Sequence, residues 1–185
     1  MLISPAKFRN TIYKYYRENK RSFTWRETKD PYKILVSEIM LQQTQTDRVV
    51  SKYNEWLSHF PTFTDLAKAK LQHVLKVWQG LGYNRRALAL KRAAEIVVKE
   101  YKGTLPNDYE KVLDLPGIGP YTAGAVMAFA FNKPFPIIET NIRTVYIHFF
   151  YNQHHGQIHD KEILALVEKT MPGETSAKGG PREWY

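Results

Sequence analysis

The chain has 185 residues and a mass of 21.6 kDa, the size of one domain or one pair of lobes. Apolar residues make up 43%, no apolar run is long enough to span a membrane, and the absence of cysteine excludes disulfides, thiolate zinc sites, cysteine-ligated iron–sulfur clusters and Cys nucleophiles within this chain. Lys+Arg of 27 against Asp+Glu of 18 gives a net charge of +9 and a pI near 9.6, the balance of a domain with a polyanionic partner, most often nucleic acid, though a merely basic protein shares it.

The N-terminal stretch MLISPAKFRNTIYKYYREN lacks the h-region and small-residue cleavage site of a signal peptide, so an intracellular, cytoplasmic location is expected. Pro5 to Asn19 has the pattern of a basic amphipathic helix with Phe8, Ile12, Tyr15 and Tyr16 on one side. Pro31 opens a second helix reaching about Gln45, and a third runs from about Asp47 to His59. Short helices are expected from Thr64 to Ala69 and Leu71 to Gln79, and a longer one from Arg85 to Tyr101. A pair flanks Leu115 to Pro120, followed by Glu139 to Tyr151 and Lys161 to Thr170. Pro134 to Ile138 carries two prolines and reads as extended connector rather than sheet. An all-α protein follows. The last stretch, PGETSAKGGPREWY, is rich in Gly and Pro and ends on Trp-Tyr. Two terminal aromatics suggest packing against a part of the protein beyond them, hence a truncated chain; a docked tail is the alternative.

Four places carry chemistry. In LPGIGPYTAG, Leu115 to Gly124, two glycines one residue apart lie between helices, where they permit positive φ and exposed backbone N–H groups. Pro116 and Pro120 stiffen the turn, and the helix opened at Tyr121 can meet a phosphate at its N-terminus. Such a loop grips a DNA backbone without reading sequence; a plain αα-hairpin turn has the same glycine pattern. In ILVSEIMLQQT, Glu38 is a carboxylate inside an apolar helix, and partial burial would make it a general acid near neutral pH. A solvent-edge Glu or one paired with Arg is the plainer reading.

In PFPIIETNIR, Glu139 precedes a helix whose dipole favours the charged carboxylate. A protonated and an ionised carboxylate together suit cleavage of a glycosidic bond. Helix capping by Glu139, Thr140 and Asn141 is the alternative, and spacing alone does not choose. In LGYNRR, Leu81 to Arg86, Tyr83 can stack on or wedge between bases while Arg85 and Arg86 neutralise phosphates. A solvated basic first turn is the alternative. His154, His155 and His159 match no metal-ligand spacing, and Gly173 to Lys178 lacks the Gly-Lys-Ser/Thr of a P-loop, so no metal or nucleotide site is expected.

Taken in order, WR at Trp25, DPYKILVSEIMLQQTQ from Asp30, WQGLGY from Trp78, LPGIGPYTAG from Leu115 and PIIETN from Pro136 resemble the helix–hairpin–helix DNA glycosylase superfamily, on its adenine glycosylase (MutY-like) branch. The resemblance covers about Phe23 to Thr170. It implies a two-lobed all-α fold with a central cleft: a helical barrel lobe of residues 30–133, and a second lobe of residues 1–29 plus 134–185. Double-stranded DNA with a mispaired or damaged base would lie in the cleft, with the target nucleotide flipped out. A monomer is expected.

Residue by residue, the resemblance makes Glu38 the catalytic acid and puts Glu139, Tyr121 and Asn141 in the catalytic set. Gln42 and Gln43 match the wedge that fills the vacated stack, and Tyr83 the tyrosine that intercalates beside a damaged guanine. Arg85 and Arg86 are expected at phosphates. Leu115, Gly117, Ile118, Gly119, Tyr121 and Thr122 form the DNA-gripping hairpin, whose backbone can also hold a monovalent cation. Bifunctional relatives of the endonuclease III type carry a lysine at the position of Tyr121; a tyrosine cannot form a Schiff base, so a monofunctional glycosylase is expected.

The chain departs from the pattern in three ways. Glu139 stands where the family has Asp, and the extra methylene shifts the carboxylate by about a bond length, where ~1 Å can cost ~10²-fold. The iron–sulfur cysteines are absent. Nor do these 185 residues include the C-terminal domain that reads 8-oxoguanine in such relatives, so a truncated chain is expected. Adenine opposite 8-oxoguanine or G is the leading substrate; a thymine or uracil mismatch glycosylase of the same fold and a non-catalytic mismatch- or lesion-binding module are the alternatives.

Overall fold

Capping residues set the first long helices. In the computed structural model, which describes residues 3–152, 156–174 and 180–185, Ser4 caps α1 (Pro5–Asn19) by accepting from the Lys7 N–H at 3.3 Å. Asp30 caps α3 (Pro31–Leu41) by accepting from the Tyr32 N–H at 2.9 Å. Each cap is followed by a proline at the first helical position, where a missing N–H costs nothing. Between them lies α2 (Thr24–Glu27). The chain continues through α4 (Thr46–His59), α5 (Phe63–Lys68), α6 (Leu71–Trp78), α7 (Arg85–Tyr101), α8 (Tyr109–Leu113), α9 (Pro120–Phe131), α10 (Thr140–Phe150), α11 (Asp160–Thr170) and α12 (Pro181–Trp184). All regular structure among the described residues is helical, and none of those helices is long and apolar enough to cross a membrane.

The chain folds into two units. One is Ser22–Val126; the other joins Met1–Arg21 to Met127–Tyr185. In the first, α3 packs against α2, α4 and α7, and α7 packs against α5 and α6. Trp56, Trp78, Leu35, Val36, Leu66 and Leu90 are its innermost side chains, and burying a large apolar side chain is worth ~1.5–3 kcal/mol. Tyr32 donates to the Phe60 carbonyl at 2.6 Å and accepts from Trp56 Nε1 at 3.1 Å, tying α3 to the end of α4.

In the other unit, α1 lies against α11 and α12, and α11 against α10. Phe8 is its hub, meeting Tyr146, Phe150 and Trp184 edge-on at 5.1, 4.9 and 5.6 Å. Tyr13, not Tyr15, completes the buried stripe of α1: Tyr15 is 67% exposed, outside the face centred between Phe8 and Tyr13. The terminal aromatics also find partners here. Trp184 packs on Phe8 and Tyr13, and the Tyr185 hydroxyl accepts from the Ile137 N–H and donates to the Phe135 carbonyl, both at 3.2 Å. They therefore dock within their own unit.

The unit limits differ from the lobe limits of 30 and 133 expected from sequence. Ser22–Lys29 belongs with α3 and α4, because Trp25 packs edge-on against Tyr53 at 5.4 Å. Residues 127–133 belong with the C-terminal segment, because Arg182 donates to the Phe129 carbonyl and its N–H to Asn132 Oδ1 at 3.2 Å.

Tyr53 has a buried hydroxyl with no hydrogen-bond partner among the described residues, and burial pushes its pKa up to about 12. The folded state holds the neutral phenol, so its contribution is complete below the unfolded pKa near 10 and is lost as pH rises towards 12. Tyr53→Phe should leave stability at neutral pH unchanged or raised, because it removes an orphaned polar group. It should also blunt the loss of stability above pH ~10. Chemical denaturation at pH 7 and pH 11 measures both; equal alkaline loss in the variant would assign that loss elsewhere.

Candidate functional site

α3 carries the first candidate. Glu38 is half-buried, one helical turn before Gln42, with Ser37 and Ile39 buried on either side. The helix ends at Leu41, four residues short of the expected Gln45. Gln42 is its C-cap and Gln43 turns into the left-handed region with φ of 55°, a conformation that costs a non-glycine residue free energy. Gln43 is exposed. Gln42 turns inward, and its Nε2 donates to Thr122 Oγ1 at 3.2 Å.

Arg86 explains this early stop. It is 7% exposed, and Nη1 donates to the Ile39 and Met40 carbonyls at 2.9 and 3.0 Å and to the Gln42 carbonyl. Nη2 reaches Thr44 Oγ1 at 2.9 Å and the Leu81 carbonyl at 3.0 Å. A cation is thus held on the last carbonyls of α3, where the helix dipole favours it. Burial lowers its pKa from the usual arginine value. The expectation that Arg86 neutralises a phosphate is corrected: its two Nη groups are spent on backbone carbonyls and the Thr44 hydroxyl, and its Nε–H is buried with no hydrogen-bond partner among the described residues. Arg85, next to it, is exposed and lies 5.8 Å from the Tyr83 ring centroid.

Tyr83 is 55% exposed and also left-handed, with φ of 46°. The Gly82 carbonyl accepts from Trp78 Nε1 at 2.9 Å, which anchors the loop to the core.

The turn between α8 and α9 places Leu115 and Ile118 inward, 4% and 8% exposed, which leaves the backbone of Gly117 and Gly119 and the side chains of Asp114 and Pro120 towards solvent. The two glycines have different jobs. Gly117 has φ of 79°, and a Cβ there would stand 2.5 Å from the Ala89 Cβ of α7. Gly119 has no positive φ and open space where a Cβ would be. The expected left-handed turn is therefore at Gly117 alone. Tyr121, in the first turn of α9, is 37% exposed. Thr122, expected at DNA, is 3% exposed, with its hydroxyl engaged by Gln42, so it links the hairpin to α3 instead.

These residues all belong to the Ser22–Val126 unit. Glu139 and Asn141 belong to the other. Glu139 is the N-cap of α10, accepting at Oε1 from the Ile142 N–H at 2.9 Å and at Oε2 from Asn141 Nδ2 at 3.1 Å. The capping reading is thus realised, and it fixes the carboxylate's orientation without excluding a further role. Among the described residues no cluster of three metal-coordinating side chains occurs. His154 and His155 lie outside those residues, as does most of Gly173 to Lys178; the His159 N–H donates to Glu162 Oε2 at 2.9 Å.

Residues 36–172 match the family model of the HhH-GPD superfamily of base excision DNA repair proteins. The chain belongs to that family. It is 37% identical over 169 residues to the adenine DNA glycosylase of Buchnera aphidicola subsp. Baizongia pistaciae (strain Bp), a match covering 91% of this chain and 47% of the relative. It is 33% identical over 168 residues to the thymine/uracil-DNA glycosylase of Methanothermobacter thermautotrophicus, covering 90% of this chain and 76% of the relative. The chain thus spans about half the length of the adenine glycosylases it matches. A thermostable thymine-DNA glycosylase structure superimposes with a TM-score of 0.81 at 31% identity, covering 97% of this chain and 83% of that one. An endonuclease III–DNA complex shares the fold, with a TM-score of 0.70 at 19% identity over 91% of this chain and 77% of that one.

Proposed function

We propose that the chain is a monofunctional DNA glycosylase that hydrolyses the N-glycosidic bond of a flipped-out mispaired base, with adenine opposite 8-oxoguanine or G as the leading substrate. One observation carries this reading: a half-buried Glu38 on the helix that Gln42 bonds to the hairpin through Thr122. A carboxyl on a helix so anchored is suited to proton transfer to a bound base. Glu38 gives a proton to the base, which leaves as a neutral molecule, and the resulting carboxylate accepts a proton from the attacking water. Glu139 takes the role of the second carboxylate, whose charge stabilises a cationic sugar. The main-chain N–H groups of Gly117, Gly119 and Tyr121 hold the DNA backbone, with a monovalent cation as a further guest of the turn. Gln43 and Tyr83, both exposed and left-handed, probe the duplex. No further cofactor is assigned, and the chain works as a monomer on double-stranded DNA inside the cell.

The second reading, a thymine or uracil mismatch glycosylase, is favoured by the match to the thymine/uracil relative over 76% of that relative's length. Single-turnover incubation with duplexes carrying A opposite 8-oxoguanine, A opposite G, T opposite G and U opposite G separates the readings. Strand breaks that need alkali name the base and fit Tyr121, which cannot form a Schiff base. Breaks without alkali would contradict the monofunctional reading. Binding without base release from any duplex would make the chain a lesion-binding module.

Glu139→Asp should retain or increase adenine release in the same assay, since the shorter acid also caps a helix well. A loss on the order of 10²-fold would instead mean that the site is built around the longer side chain.

A further inference from the structure

Arg86 meets two separate segments at once. From α7 its guanidinium bonds the carbonyls of Ile39, Met40 and Gln42, at the end of α3, and those of Leu81 and Gly82, in the loop before α7. Its carbon lies 5.3 Å from the Trp78 ring centroid and 5.6 Å from that of Tyr83. Each segment continues directly into an exposed non-glycine residue with positive φ, Gln43 and Tyr83. Such backbone persists only where its surroundings over-determine it. One buried cation over-determines both.

We propose that Arg86 is a positioning residue that locks the Gln43 and Tyr83 segments in one shared geometry, so that the two probe a duplex together and mismatch preference depends on it. This rests on the DNA reading given above, and it assigns Arg86 no contact with phosphate. Lysine cannot replace it, because a single ammonium lacks the planar set of donors that reaches both segments.

Three variants test this: Arg86→Lys, Arg86→Met, and the milder Thr44→Val, which removes one acceptor of the guanidinium. The first readout uses the free protein. Amide hydrogen exchange should accelerate at 42–44 and at 81–84 together, with the rest of the Ser22–Val126 unit unchanged in Thr44→Val. Acceleration at one segment only, or no change in any folded variant, would overturn the shared lock.

The second readout is affinity for mismatched and matched duplexes over a range of salt. Preference for the mismatch should fall about tenfold in Arg86→Lys, with the slope of log affinity against log salt unchanged. In Arg86→Met, which removes the charge, a slope smaller by about one unit with preference retained would restore the phosphate contact and sink the proposal. In a Gln43→Ala/Tyr83→Ala background, Arg86→Lys should add little further loss; full additivity would show that it acts through neither. A wild-type protein with no preference for any mismatch would refute the DNA reading, while hydrogen exchange still decides the lock.

Discussion

Glu38→Gln should cut base release by about 10²- to 10⁴-fold while leaving duplex affinity unchanged. The amide keeps the size and hydrogen-bonding reach of the carboxyl but has no proton to give at neutral pH. Glu38 is half-buried on α3, between the apolar turn of Ile34 and Leu35 and the turn of Gln42. Glutamine fills the same volume on this half-buried face, so the melting temperature should stay near that of the parent. Single-turnover release, a binding titration and a thermal melt on the same preparation complete the test. Full release by the variant would remove Glu38 from the chemistry. Lost release with a lowered melt would mean that the helix, rather than the proton, had been damaged.

Gly117→Ala should be the most destabilising single change in the hairpin, at about 2–5 kcal/mol. Two terms add. A side chain at positive φ costs ~1–2 kcal/mol, and forcing a methyl into a filled contact costs ~1–3 kcal/mol. The contact is with Ala89 on α7, at 2.5 Å from where the new Cβ would be, and α7 is a helix of the core that cannot step aside. Gly119→Ala is the control. The added methyl meets open space at an ordinary φ, so stability should change by no more than ~0.5 kcal/mol. Its cost should fall on DNA affinity if the turn grips a phosphate as proposed, because the methyl projects into the open space beside it. Denaturant titration and duplex binding of both variants give four numbers. Equal destabilisation by the two would contradict the division of labour between the glycines, and undiminished DNA affinity in Gly119→Ala would detach the turn from the nucleic acid.

How much of this was readable in one dimension differs from residue to residue. The limits of α1 and α7 coincide with those expected, because each has local punctuation: Ser4 and Pro5 at one, a left-handed Lys102 after the other. The end of α3 was misplaced because its stop signal is not local. It is Arg86, more than forty residues away in sequence. The same arginine shows the limit of a charge pattern. Arg85 and Arg86 are indistinguishable as letters, yet adjacent positions on a helix point about 100° apart, and here one faces solvent and the other the core. The short helices α2 and α12 were missed because so few residues give no periodicity; packing of Trp25 and Trp184 holds them.

The candidate site was legible where one residue type has one physical use. Gly117 is such a case, since only glycine satisfies both the φ and the contact with Ala89. It was not legible where a side chain has two honest uses. Thr122 can donate to a phosphate or serve a neighbouring helix, and the choice was made by Gln42. Glu139 is both a cap and a candidate catalytic group, and the same pair of carboxylate oxygens serves either.

Of the two units, one is continuous in sequence and the other is not, and this orders events during synthesis. A ribosome delivers chain from the N-terminus, and domains generally fold as units as they emerge. Helix α1 emerges before Ser22–Val126, with Phe8 and Tyr13 needing cover from Tyr146, Phe150 and Trp184, which come more than a hundred residues later. Ser22–Val126 has all of its own core in hand long before that. The nascent chain therefore passes through a stage in which Ser22–Val126 is folded while α1 still waits, apolar face uncovered, and a chaperone that holds such faces would find its ligand in α1.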